Sequence, residues 1–454
     1  MSVFETPVAR QRGKRFQASD PRARGTAGIG REPVLAERHL VGSGVPGTGG
    51  ASLWAEHGEG LRASADRALR AVLDWNGAPE QVSAPFPFKE TLTHFQGAGR
   101  AHAEPELVVS LRDAHSRLPG RISMVETWLP STFDQEDGDY SSYICAPVFA
   151  FVAPEGGAHD ADDALIATAM ADLLLIETAA LEATPHRRQQ VRAKAAARAL
   201  TRLAELAPSF GVDAQARDAA VSELSRGAGE PGPAGRGLAE SVVGSVRSEI
   251  REAVDLALLP TTRLHDELMF IRCIQVFEGI YRRVAVALNR ARDGLSVGDH
   301  VSVRAELEEA ATRVEAMPVL FRILTTMPVD VFAVIRAYTN GRSAVQSRAY
   351  HEVEYVSAPR NPGPDAEGSK RPDPGGPTLE EIYLKERERV PSEVTAAMTR
   401  LDRAWRAMKL SHWGITLKII GDVPGTGGTS GASYLRTAAD TALFPCLAQD
   451  GGRP

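Results

Sequence analysis

Eight large apolar residues, Leu264, Leu268, Ile271, Ile274, Phe277, Tyr281, Val284 and Leu288, recur every three or four positions. That period places them on one side of an α-helix of about seven turns. A stripe of this length is covered only if several other elements pack around it, so it argues for a helical body built on this segment. Other segments carry the same period: residues 61–73, 301–317, 319–326 and 328–339. Residues 161–206 are alanine-rich and helical, with a break at Pro185. A last stripe, Leu401, Trp405, Met408, His412, Ile415 and Ile419, lies in residues 391–420. Gly294 is placed to close the long helix and Gly421 the last one. Thr378 with Glu381 forms a capping-box pattern. Residues 144–152 are β-prone, and between Pro85 and Pro154 strands and loops cannot be told apart.

The fold class is therefore mainly α. The segment 227–237, GAGEPGPAGRG, contains no apolar residue larger than alanine and reads as a linker. It divides the chain into an irregular arm at 1–60, an N-terminal α or α+β domain at 61–235 and a helical domain at 238–454. A net charge of −6 gives no global attraction to nucleic acid or anionic lipid. The basic residues from Arg10 to Arg24 lie in a segment without apolar period and read as a solvated arm. Cys145, Cys273 and Cys446 are widely spaced, as in a reducing compartment. No apolar leader follows the basic N-terminus, and Asp172 and Glu177 interrupt the most apolar run, so a cytoplasmic protein without a membrane span is expected.

Four constellations carry chemistry. His412 stands on the apolar stripe of the last helix, where an imidazole is either a hydrogen-bonded core group or a metal ligand; no second His, Cys or carboxylate at helical spacing completes a zinc set, and a haem iron, which needs one protein ligand and an apolar slot, fits better. His265 opens the long helix beside Asp266 and Glu267, either as a first-turn polar residue or as a functional imidazole. Phe332 and Arg336 share a helix face, which suits an aromatic amino acid with a carboxylate or, alternatively, an ion pair. The sequence GTGGTSG at 425–431 is no Walker loop, because no Lys follows; it is either an anion-binding turn with Thr426 and Thr429 as donors or a flexible connection. Its VPGTGG core also occurs at 45–50.

The order HDELMFI, TMPVDVFAVIR, AVQSRAYHEVE, then HW and GTGGTSGASYLR resembles tryptophan 2,3-dioxygenase, a haem-dependent helical family, over residues 259–447. His412 stands fourteen residues before Thr426, as in the family pattern; Val34 occupies the corresponding position before Thr48, so the first VPGTGG is a look-alike. The resemblance implies haem b held through iron by His412, with Gly425, Gly427 and Gly428 bordering the cofactor. It places His265 on the distal side as the partner of the indole N–H, Phe332 against the substrate ring, Arg336 on its carboxylate and Thr426 at its amino-acid end. Dioxygen or peroxide would be the oxidant, and a homo-oligomer, dimer or tetramer, is implied.

Departures point to a specialised, natural-product type of member. The family's tyrosine-bearing segment ahead of HDE, which enters a neighbouring subunit's site, has no counterpart in residues 241–258. Where the family has HQxxELW this chain has Ile274-Gln275 and Glu278-Gly279-Ile280, and where it has FQSxxFR this chain has Val345-Gln346-Ser347 and Tyr350-His351. Lost bulk at Gly279 and Ile280 is expected to reshape the pocket, with an aromatic ring other than plain tryptophan as the consequence. An oxygenase of a tryptophan-like amino acid leads; a mono-oxygenase of a tyrosine or substituted indole, or a helical haem or amino-acid binding protein without catalysis, are the alternatives.

Overall fold

The long stripe becomes one continuous helix of 33 residues, His265–Val297. It runs past Gly294 and stops at Gly298, whose left-handed backbone (φ 78) returns its N–H to the Gly294 and Leu295 carbonyls. The computed structural model describes residues 58–77, 85–118, 120, 123–133, 140–154, 159–183, 186–206, 213–225, 233–339, 347–359, 376–421 and 431–450. Among them every regular element is helical. The first half holds α1 (Gly58–Gly77), α2 (Phe88–Ala98), α3 (Pro105–Ser116), α4 (Met124–Phe133), α5 (Tyr140–Tyr143), α6 (Ala146–Val152), α7 (His159–Ala183), α8 (Arg187–Glu205), α9 (Ala214–Ser225), α10 (Pro233–Ser245) and α11 (Ser248–Leu256). The second holds α12 (His265–Val297), α13 (His300–Ala316), α14 (Pro318–Leu324), α15 (Val329–Tyr338), α16 (Arg348–Ser357), α17 (Leu379–Glu386), α18 (Ser392–Ile420), α19 (Ala432–Asp440) and α20 (Pro445–Asp450).

The β-prone run at 144–152 is helical, which corrects the α+β alternative for the first half. Cys145 takes a left-handed conformation (φ 53), and Pro147 then sits in the first turn of α6, where a fixed φ and a missing N–H cost nothing. Val148 and Phe149 bury from that helix, so packing overrides their strand preference. The capping box of Thr378 and Glu381 forms as the sequence predicts.

Around α12 the helices lie in two groups. α7 packs against it from the first half, with α8 and α10 behind; α13 and α16 pack against it from the second, and α18 closes over α13. One cluster of buried apolar side chains runs from Ala68 and Val72 in α1, through Leu173 and Leu200, to Leu401 and Phe444. The expected boundary at 227–237 thus marks no break in the core: residues 226–232 lie outside the described part, and Pro233 already opens α10, which packs on α7. The arm at 1–57 also lies outside it, and α1 begins at Gly58. Residues 160–181 of α7 are long and apolar enough to cross a bilayer, yet 72% of their most apolar stretch is buried inside the body.

Gly279 is a point of close packing between α12 and α7. A Cβ on Gly279 would lie 2.6 Å from Cγ1 of Ile166, a buried residue of α7. β-branched Ile166 has little rotamer freedom in a helix and cannot swing aside. Gly279→Leu is therefore expected to destabilise the protein by about 1–3 kcal/mol despite its better helix propensity. A urea midpoint that rises instead would contradict this packing, and Ile166→Ala should relieve part of the loss.

Candidate functional site

Six helices of the second half, α12, α14, α15, α16, α18 and α19, line one cavity of about 230 Å³. From α12 come Phe270, Ile274, Phe277 and Tyr281, spaced so that they share one face. α18 contributes Met408, His412, Ile415 and Ile419 on the same principle. α15 supplies Phe332, Ile335 and Arg336, while Tyr434 and Leu435 of α19 close another side. The walls interlock as rings: Phe277 lies 4.8 Å from Phe321, Phe332 meets Phe270 edge-on at 5.7 Å, and Tyr350 stacks on Trp405 at 5.3 Å. Such contacts hold the walls in fixed rotamers.

His412 is half-buried, and it stacks on Phe321 at 5.8 Å. Among the described residues nothing hydrogen-bonds its ring. Burial pushes its pKa down to about 4, because an apolar surround disfavours the imidazolium. At neutral pH it therefore offers an unprotonated nitrogen to the cavity, which is the state a metal requires. Among the described residues no group of three or more His, Cys, Asp or Glu could hold a metal ion, so a metal here would rest on this single imidazole and an additional carrier such as a porphyrin. The apolar walls and the neutral ring, open to the cavity, fit a haem.

Two cations reach the cavity. Arg336 is half-buried on the same helix face as Phe332, as the spacing predicts. Lys409 is buried, and its Nζ donates to Glu354 Oε1 (3.3 Å) and to the Thr441 carbonyl (3.0 Å), so Glu354 neutralises it. Tyr350 donates to the same Glu354 oxygen at 3.2 Å.

His265, expected on the distal side, is not among the residues that line the cavity. Its Nε2 lies 3.1 Å from Glu177 Oε1 and 3.3 Å from Gln189 Nε2, inside a buried polar cluster between α7, α8 and the first turn of α12. Arg192 holds that cluster together, with Nη1 on Glu177 (3.3 Å), Nη2 on Asp266 (2.5 Å) and Nε on Thr326 Oγ1 (2.9 Å). Glu267 accepts from the backbone N–H groups of Thr261 (2.9 Å) and Thr262 (2.6 Å). Each residue of the HDE run thus has buried polar partners. Two turns further on, Ile274, which replaces the imidazole of the HQxxELW pattern, is the residue that faces the cavity.

Gly279 and Ile280 are not among the cavity walls either, so the substitutions there alter helix packing rather than the pocket. Thr426, Gly425, Gly427 and Gly428 lie outside the described residues, as does the first VPGTGG; Ile419, Ile420 and Gly431, on either side of the second copy, line the cavity. Sequence reasoning missed Tyr140 and Tyr143 of α5, which reach the cavity from the first half of the chain. The pair YSSY was the available signal, but it lay in the stretch where no period was legible.

No protein-family profile matches the chain. Curated proteins do. A tryptophan 2,3-dioxygenase of Anaeromyxobacter dehalogenans is 25% identical over 233 residues, spanning 41% of this chain and 87% of that protein. One from a Nocardioides strain is 26% identical over 222 residues, with 40% and 83% covered. One from Pseudomonas fluorescens is 23% identical over 238 residues, with 42% and 84% covered.

Proposed function

We propose that this chain, a diverged relative of the tryptophan 2,3-dioxygenases, is a haem-dependent oxygenase of the aromatic ring of a tryptophan-like amino acid. The observation that carries the reading is His412: a neutral imidazole without a hydrogen-bond partner among the described residues, set in an aromatic cavity. His412 would hold the haem iron. The bound haem would supply activation of dioxygen or peroxide, chemistry that side chains alone do not provide. Everything else falls to this chain's residues. The rings of Phe270, Phe277 and Phe321 exclude water and flank a planar group, Phe332 packs on the substrate ring, and Arg336 takes the carboxylate through its planar fork. Orientation is then fixed at two ends, which is what regioselective attack on a ring demands.

The test is an absorption spectrum of the purified protein after reconstitution with haemin, before and after dithionite, then with L-tryptophan. A Soret band that moves on reduction and again on adding the amino acid is expected; its absence after reconstitution would sink the reading. Mass spectrometry of product formed under labelled dioxygen counts the atoms inserted and so separates dioxygenation from mono-oxygenation. Arg336→Ala is expected to weaken L-tryptophan by about 1.5–3 kcal/mol, the worth of hydrogen bonds to a charged group. Tryptamine, which lacks the carboxylate, should bind wild type and variant alike, and an equal loss for both ligands would make Arg336 a structural residue.

A further inference from the structure

Tyr140 stands on α5, outside the region that resembles the dioxygenases, yet it forms part of the cavity wall. The residue is 6% exposed. Its hydroxyl has no hydrogen-bond partner among the described residues. The neighbouring phenols are engaged: Tyr143 donates to Glu267 Oε1 (3.1 Å), Tyr350 to Glu354 Oε1 (3.2 Å) and Tyr281 to Met408 Sδ (3.7 Å). The oxygen is not sealed in the core: it opens on the cavity, and a ligand that displaces solvent there must supply its hydrogen bond or leave it unsatisfied. At Tyr140 the remaining partner is whatever enters the cavity.

The first half of the chain fixes this phenol in place. Gly99 adopts φ 76, and a Cβ there would stand 2.5 Å from the Thr262 carbonyl oxygen, so only glycine lets this turn lie against residues 260–262. Arg100 and Ala101 then donate backbone N–H groups to the Pro260 (2.8 Å) and Thr261 (3.0 Å) carbonyls. The buried Arg100 guanidinium donates to the carbonyls of Ser131 (2.9 Å), Ser142 (3.4 Å) and Tyr143 (3.3 Å), which pins α5 from beneath. Ile271 and Ile274 pack with Tyr140 in one apolar cluster. Ile274 itself can offer no hydrogen bond.

We propose that Tyr140, delivered by the first half of the same chain, is the specificity-determining residue that hydrogen-bonds a ring N–H or O–H of the aromatic amino acid. The proposal rests on the reading of the cavity as an aromatic amino-acid site. Burial raises the phenol's pKa well above 10, with Glu278 and Tyr281 adding to the effect, so the hydroxyl stays protonated and can either accept from an indole N–H or donate to a phenol oxygen. An aromatic amino acid with a bare hydrocarbon ring would leave it unsatisfied, and a site of this kind discriminates against such analogues.

The experiment is calorimetric titration of haem-loaded, anaerobic wild type, Tyr140→Phe and Tyr143→Phe with L-tryptophan and with 3-(1-benzothiophen-3-yl)-L-alanine, in which sulfur replaces the N–H. Tyr140→Phe should weaken tryptophan about tenfold and the sulfur analogue less than twofold, as expected for losing one buried hydrogen bond. Its thermal midpoint should match wild type, because no hydrogen bond among the described residues is lost. Tyr143→Phe, which loses its bond to Glu267, should affect both ligands equally. If Tyr140→Phe weakens both ligands equally, or neither, the proposal falls while the haem site stands. If the wild type binds neither amino acid, the reading of the cavity falls and takes the proposal with it.

Discussion

Replacing His412 by glycine is expected to abolish the Soret band of haem-reconstituted protein, and millimolar imidazole is expected to restore it. Among the described residues the cavity offers a porphyrin iron aromatic rings, aliphatic side chains and two cations, which are not iron ligands, but one imidazole kept neutral by burial. Losing that ligand should lower haem affinity by more than the roughly 10–100-fold that outer-shell changes cost at metal sites. Imidazole rescue separates ligation from folding, since an unfolded variant has no slot to fill. The same ring sets a pH limit. Its folded pKa of about 4 lies below the ordinary 6.5, so protons compete for the nitrogen only as pH falls toward 4, and the Soret band should survive at pH 5 where a solvent-exposed imidazole would already be protonated. The depressed value also means that the unfolded chain binds the proton more readily. Stability from this group is present above pH 6.5 and is lost as pH falls toward 4. An undiminished Soret band in His412→Gly without imidazole would place the iron elsewhere.

Helical periodicity made α12, α13, α15 and α18 legible from the sequence, because each buries one face against neighbours and the apolar spacing reports that face directly. The same logic failed where burial is not one-sided. α6 is short, flanked by a left-handed Cys145 and opened by Pro147, and its apolar residues gave no period to read. Gly279 illustrates a second limit: a missing side chain on a helix otherwise rich in large ones looks like space made for a ligand, but Ile166 of a helix more than a hundred residues earlier fills it. His265 marks a third. A histidine in a recognisable run attracts a functional role, while the distinction between a cavity and a buried ion cluster depends on Glu177 and Arg192, which nothing near it in sequence announces. Phe332 and Arg336 were legible because their relation is local, four residues on one helix. Tyr140 was not, because its relation to the cavity is made by the tertiary fold.

Arg192→Met is expected to destabilise the protein by about 3–5 kcal/mol at neutral pH, the cost of stranding buried charge. Arg192, Glu177 and Asp266 are all buried; the guanidinium binds two carboxylates and a threonine hydroxyl at once. Burial alone would raise the Glu177 pKa, but the facing Arg192 and His265 hold the carboxyl down at about 2, below its ordinary 4.5. That depression means the stabilisation is present above pH 4.5 and is lost as pH falls toward 2. The gap between wild type and Arg192→Met should therefore be widest near pH 7 and shrink through this window, whereas a loss due to packing alone would be the same at every pH. Urea titrations at pH 7 and pH 3 measure both numbers. A further variant tests the origin: Glu177→Gln added to Arg192→Met removes the stranded anion and should recover part of the loss. The consequence reaches the cavity, because Thr326 on Arg192 sits in the turn between Leu324 and Met327, both wall residues. Haem-reconstituted Arg192→Met should accordingly show a broadened Soret band even where it remains folded, since this guanidinium is one of the ties between the helices of the first half and the walls of the site. An unchanged spectrum together with a stability loss under about 1 kcal/mol would show that the Arg192 cluster is not one of the contacts that hold the two halves together.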